Sequence, residues 1–400
     1  MATAPTAPSS GHTDHATVYP ANPYVGIRVG NVTGVDSGLA NLITGAKVDL
    51  EIGKVSYAEL FFKNLNRAVT DDLSWAEGQR VQVFMGYANI ASRQKLLGAF
   101  SMSSPKFEFG GRRRIVMQGL GDGVEMTRVA RRRVFENMTY DAVVKKIALE
   151  YGYETDTISP NLRDTIPSVT QAGISDYEFI GDLAKRSGTD FFVFGNNLFF
   201  MVPSLRPEED WVPFDANSES VRSAVFSVAG EGEAAIISSS PINPRTGEFE
   251  TVDSEFSTDG IFDVEQDGQV RFQKLAYPRI IYVDGQGNLL SKSALQTRVD
   301  SEANKRKNIV KVRAVINGYE RLMPRQVVIF LNAGLRFRGP YYVTHVVHEM
   351  RAQGSDYITT FEGTRATTGA YGRVSYTSTE TVGGTPVPLE DVSAQSQRGD

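Results

Sequence analysis

Apolar and polar positions alternate in short runs over most of this chain, and Gly, Asn, Asp and Pro separate the runs. Tyr24-Val25-Gly26-Ile27-Arg28-Val29 alternates, and Lys47 to Ile52 and Tyr57 to Phe62 set β-branched and aromatic residues between turn signals. A period of two bounded in this way predicts strands. One β pattern occurs twice. The first copy is Gln79-Arg80-Val81-Gln82-Val83-Phe84-Met85, then a run opened by Gly98, then Arg114-Ile115-Val116-Met117-Gln118-Gly119. The second is Arg325-Gln326-Val327-Val328-Ile329-Phe330-Leu331, then a run opened by Gly339, then Tyr357 to Gly363. This alignment sets Val81 and Val83 against Val327 and Ile329 and predicts all four as barrel-core strand positions. Two similar β units per chain allow three chains to build a ring of six similar units.

Between the copies the period changes. Thr139 is a candidate N-cap, Val143, Ile147 and Tyr151 recur at helical spacing, and Gly152 is the stop. Ser175-Asp176-Tyr177-Glu178 is a capping box that opens a second helix, with Phe179, Ile180, Leu183 and Ala184 on its apolar face and Gly188 at its end. Asp190 to Phe194 and Leu198 to Val202 flank Gly195-Asn196-Asn197 as an apolar hairpin. Leu295, Val299 and Ala303 mark a further helix near 291–307. Ser238 to Gly268 is polar and reads as a long loop.

The fold class predicted is β-dominated α+β. The divisions are a flexible arm at 1–19, a first β-barrel domain at 20–135, a small α/β module at 136–205, and a second β-barrel domain at 206–365. That last domain carries the polar insertion near 238–268 and the helix near 291–307. An extended tail follows at 366–400.

Composition narrows the function classes. The chain has 400 residues, 41% apolar and 22% charged, which is ordinary for a globular protein and too long for one core. A formal net charge of −5 gives no reason to expect specific nucleic-acid binding. Cysteine is absent, so disulfides and thiolate metal sites are excluded. No apolar run is long enough for a membrane segment. The start of the chain lacks the positive and apolar stretches of a secretory signal.

Candidate chemistry is sparse. His345 and His348 sit in a β run at an odd offset, on opposite faces, and they lack the spacing of a zinc protease. Sheet packing or interface hydrogen bonding is the expectation, with no metal. Gly119-Leu120-Gly121-Asp122-Gly123 lacks the Lys-Ser/Thr of a phosphate loop. No cofactor motif and no credible catalytic set is present. The basic runs Arg112-Arg113-Arg114 and Arg131-Arg132-Arg133 are read as intersubunit contacts rather than phosphate contacts.

In their order, three segments resemble the phage late-control gene D family of tail baseplate hub proteins, whose fold also forms the first part of the VgrG spike proteins of type VI secretion. They are Glu77 to Tyr87 with Leu97 to Phe100 and Gly119 to Asp122; Thr139 to Tyr153 with Ser175 to Gly188 and the hairpin; and Leu322 to Val327 with Phe337 to His348. The chain departs from many relatives at Pro324-Arg325, where those have Pro-Gly. VgrG chains continue into further domains, whereas a short polar tail, Ala366 to Asp400, follows the third segment here, so the expectation is that a spike is another chain. The resemblance implies two tail-tube-like barrels and a structural, late-expressed virion protein without enzymatic activity. It implies a homotrimer forming a pseudo-six-fold ring between a hexameric tail tube protein and a separate trimeric spike protein, beside other baseplate (wedge) proteins. The location implied is the tail baseplate of a phage or contractile injection system, assembled in the bacterial host cytoplasm. The alternative is a cell-wall-binding or peptidoglycan-degrading tail protein.

Overall fold

In the computed structural model the described residues are 22–29, 42–63, 78–88, 93–103, 106–108, 114–158, 166–203, 211–228, 235–239, 252–256, 264–266, 269–271, 279–282, 296, 299, 310–351, 356–365, 381–382 and 385–386. The predicted arm lies outside them. Of the helix near 291–307, Gln296 and Val299 are described and are helical.

The first half runs through β1 (Pro23–Val29), β2 (Ile43–Glu51), β3 (Tyr57–Lys63), β4 (Arg80–Tyr87), β5 (Gln94–Met102), β6 (Lys106–Glu108) and β7 (Arg114–Leu120). A module follows with β8 (Ala130–Met138), α1 (Tyr140–Glu150), β9 (Ile166–Ser175), α2 (Asp176–Ser187), β10 (Asp190–Phe194) and β11 (Asn197–Met201). Next come β12 (Val212–Asp215), β13 (Val221–Val228), β14 (Ala235–Ser239), β15 (Val252–Phe256), β16 (Val264–Gln266), β17 (Gln269–Arg271) and β18 (Arg279–Tyr282). The second half is completed by β19 (Val310–Asn317), β20 (Val327–Leu331), β21 (Gly339–Arg351) and β22 (Asp356–Arg365). Residues 370–400 form a separate unit, in which β23 (Thr381–Val382) pairs antiparallel with β24 (Thr385–Pro386).

The segment 238–268, expected to be a loop, carries strand. β15 lies within it and pairs antiparallel with β14, which pairs in parallel with β18. Composition understated this segment because strand formation depends on the partner strand as well as on local residues.

The two halves repeat one pairing order. In the first, β4 pairs β5, β5 pairs β7, β7 pairs β3 and β3 pairs β2; in the second the same roles fall to β20, β21, β22, β19 and β13. The agreement reaches single residues. Met102 faces Gly119 as Val343 faces Gly363, and Leu60 faces Met117 as Ala314 faces Phe361. The β2–β3 register shifts between Ile43 and Gly45, and the β13–β19 register shifts at the equivalent place, between Val221 and Ser223. Ser103 Oγ donates to the Gln118 carbonyl at 2.8 Å, and Thr344 Oγ1 repeats this toward Glu362 at 3.3 Å. Ser103 directly follows β5, and β5 and β6 together occupy the place of the single long, bulged β21. The halves differ in their first strands: β1 is antiparallel to β4, whereas β12 is parallel to β20.

This register corrects the sequence alignment by one residue. Val81 faces Phe100 and Val83 faces Gly98; in the second half Val328 faces Tyr341 and Phe330 faces Gly339. Val81 and Val83 lie in the first core, while Val328 and Phe330 line the second. Val327 and Ile329 are buried on the opposite face of β20. A slip of one residue exchanges the faces of a strand, and the unbroken apolar run Val327 to Leu331 carries no alternation to set it. Gly98 and Gly339 have φ of +150° and +128°, and a Cβ on Gly98 would meet the Phe100 ring at 2.8 Å.

The module has its own core, including Val143, Ile147, Phe179, Leu183 and Phe200. Both predicted caps form. Thr139 Oγ1 accepts from Ala142 N, and Ser175 and Glu178 make the reciprocal box. The hairpin β10–β11 is apolar on both faces because it serves two cores. Phe191, Val193, Leu198 and Phe200 enter the module core, while Phe192, Phe194 and Phe199 pack on the core of the first half.

Candidate assembly interface

The two halves meet along one strand pairing. β2 runs antiparallel to the C-terminal stretch of β21, from Ala46 facing Met350 to Glu51 facing His345. Met350 and Tyr357 of the second half complete the core of the first. On this pairing His345 Nε2 lies 2.8 Å from Asp49 Oδ1. The hydrogen bond to Asp49 raises the imidazole pKa, against the effect of half-burial. Asp49, Glu51 and His345 offer ligand atoms within 4.8 Å of one another. Their charges are already paired, His345 to Asp49 and Glu51 to Lys54 Nζ at 2.8 Å. His348 turns to the other face and is fully buried.

A second contact reinforces the first. Arg93 reaches the fully buried Glu320 carboxylate with Nε at 3.0 Å and a terminal nitrogen at 3.2 Å, and its guanidinium lies over the Tyr87 ring. Tyr87 donates its hydroxyl to the Gly318 carbonyl at 2.8 Å. The chain passes Tyr357 so closely at Gly318 that a Cβ there would fall 2.0 Å from the ring. Bidentate Arg–carboxylate pairs fix geometry as well as adding energy. No local sequence signal marks Arg93 and Glu320 as partners.

The module is tied to both halves. Gly53 N donates to the Phe191 carbonyl at 2.7 Å. Asp122 accepts from Gly195 N at 2.8 Å and from Arg80 at 2.5 Å; burial raises its pKa, opposed by Arg80. Arg80, Asp122, Phe194 and Asn196 border a cavity of about 160 Å³, small for a ligand site. Tyr342 donates to Asp190 at 2.5 Å. Arg325 takes φ of +74°, the left-handed conformation that glycine adopts most easily. Its guanidinium lies 5.0 Å from the Phe199 ring centroid.

The arginine runs divide. Arg131 and Arg133 both bind Glu150, and both reach Asp176, whose carboxylate is fully buried. Tyr151 and Gln171 also donate to Asp176, at 2.6 and 2.9 Å. Burial and Asp176 push the Tyr151 hydroxyl up to about 12. The side chains of Arg131 and Arg133 thus bind α1 and α2 of their own chain. Arg132, on the alternate face, is exposed. Arg114 stands opposite Lys63 in the β3–β7 register, and Arg112 and Arg113 lie outside the described residues. Among the described residues no helix is long and apolar enough to cross a membrane.

No protein-family model and no curated protein matches the sequence. Solved structures do match. The tail protein from Neisseria meningitidis MC58 has a TM-score of 0.62 at 10% identity, covering 86% of this chain and 97% of that one. The 43 kDa tail protein of prophage MuSo2 from Shewanella oneidensis has a TM-score of 0.61 at 10% identity, covering 86% and 98%. An E. coli component of the type VI secretion system, described as structurally similar to the T4 bacteriophage tail proteins gp27 and gp5, has a TM-score of 0.53 at 12% identity, covering 84% and 76%. The chain thus has the fold of phage tail proteins and of a type VI secretion component, the fold implied by its resemblance to the tail baseplate hub family.

Proposed function

We propose that this chain is a structural hub protein of the tail baseplate in a tailed phage or a phage-like contractile injection machine. In this reading each repeated strand set closes as a tail-tube-like barrel. Three chains then make a ring of pseudo-six-fold symmetry, which joins a hexameric tail tube to a separate trimeric spike beside the wedge proteins. The function is mechanical and needs no catalytic group. The repeated pairing order of the two halves carries this reading, because twin units in a three-fold ring present six similar faces to a six-fold partner while keeping three-fold symmetry for a spike. The tail-protein fold supports it.

Native mass spectrometry and negative-stain imaging of the full chain test the proposal. The expected result is a three-chain ring with six similar lobes around a channel, binding the tube and spike proteins made in the same host. A monomer at every concentration, or clearing of peptidoglycan in a zymogram, would overturn it.

A further inference from the structure

Within the chain, β2 of the first half pairs with the C-terminal stretch of β21 of the second. The repeat places β13 in the role of β2, and β6 in the role of that stretch of β21. Among the described residues, β13 pairs only with β19 and β6 only with β7. Among the described residues each is thus a sheet edge where its counterpart is paired. Burial follows the same division. Ala46, Val48 and Leu50 are 0% exposed, whereas their counterparts Ala224, Phe226 and Val228 are only partly buried, and Val225 is 63% exposed. An open edge is a template for a further strand.

We propose that β13 of one chain pairs antiparallel with β6 of a second copy, in the register carried over from β2 and β21. The internal pairs Lys47–Glu349, Val48–His348 and Asp49–Val347 become Val225–Glu108, Phe226–Phe107 and Ser227–Lys106 between chains. The two open edges are complementary because one repeat built both. The step from the second half to the next chain then reproduces the step from the first half to the second. Such a heterologous contact closes into a ring when the rotation allows. Closure after three chains rests on the hub reading; the edge pairing does not.

Paired cysteines test the register against a background free of native cysteine. Ile52 N donates to the Thr344 carbonyl, so 52 and 344 are a hydrogen-bonded pair, and alternation makes 47 and 349 a non-hydrogen-bonded one. Side chains approach most closely at such pairs, which suits a disulfide. Lys47→Cys with Glu349→Cys is the control that closes within one chain. Val225→Cys with Glu108→Cys in the same chain is the test, and each single variant must stay uncross-linked. Mild oxidation is expected to give covalent dimers and a closed three-chain species. An open-ended ladder or closed dimers would support the edge pairing and overturn the three-chain ring. A native-mass trimer that fails to cross-link while the control closes would overturn the edge pairing and leave the hub reading standing. A monomer at every concentration overturns both. Val225→Glu, placed opposite Glu108, is expected to weaken association by about two- to fivefold per contact. Val225→Lys, the residue type present at position 47, is expected to be tolerated. Equal weakening by both would count against the register.

Discussion

Acidification probes how His348 is held in the second half. The imidazole is fully buried; its Nε2 donates to the Leu322 carbonyl at 2.9 Å, and its Nδ1 lies 3.0 Å from the Tyr357 hydroxyl. Burial lowers its pKa from 6.5 to about 4. The unfolded chain therefore takes up a proton below pH 6.5 that the folded chain refuses until about pH 4. The stability contributed by the neutral ring is full above the unfolded value and is lost as pH falls toward the folded one. At about 1.4 kcal/mol for each factor of ten in proton affinity, the loss is about 3 kcal/mol. His345 acts with the opposite sign. Its raised pKa gives a contribution that is full below 6.5 and is lost as pH rises through the folded value. Urea unfolding followed by circular dichroism, in steps from about pH 8 to about pH 4, measures both. His348→Gln keeps a polar amide but cannot take up the proton. The difference between wild type and variant should shrink by about 3 kcal/mol across the acid range, independent of carboxylates that titrate in both proteins. Parallel stability curves for the two proteins would refute the assignment of a buried, neutral imidazole.

Other perturbations test the packing. Phe330→Ala should cost about 3–5 kcal/mol in urea unfolding, and Val327→Ala distinctly less, since Phe330 and not Val327 lines the second core. Gly318→Ala should cost about 1–3 kcal/mol, because the added carbon meets the Tyr357 ring; an unchanged unfolding midpoint would contradict the close approach. Asp176→Ala should cost about 3 kcal/mol by removing the buried carboxylate that Arg133, Tyr151 and Gln171 all bond, with hydrogen exchange rising first at the start of α2.

Several features were legible locally. The capping box of α2 and the stop at Gly188 follow from adjacent residues whose side chains and backbone act within one turn. The hairpin around Gly195 and the repeat around Gly98 and Gly339 were visible for the same reason. The ribbon formed by β8 and β9 was not, because Arg131-Arg132-Arg133 reads as a charged contact surface, with no local sign of its partners Asp176 and Glu150. The core face of β20 was also hidden, since every residue from Val327 to Leu331 is apolar.

Outside the 238–268 segment and the β8–β9 ribbon, the amino-acid sequence alone marked the strands, helices and turns of the described residues, and showed that one β unit is used twice, because periodicity, capping and turn chemistry act over a few residues. Only the tertiary structure decided which edges meet. The pairing of β2 with β21, the closure of Arg93 on Glu320, and the edges that β13 and β6 leave unpaired among the described residues depend on strands brought together from distant parts of the chain. Edge pairing depends on backbone groups common to nearly every residue, so local pattern does not name the partner.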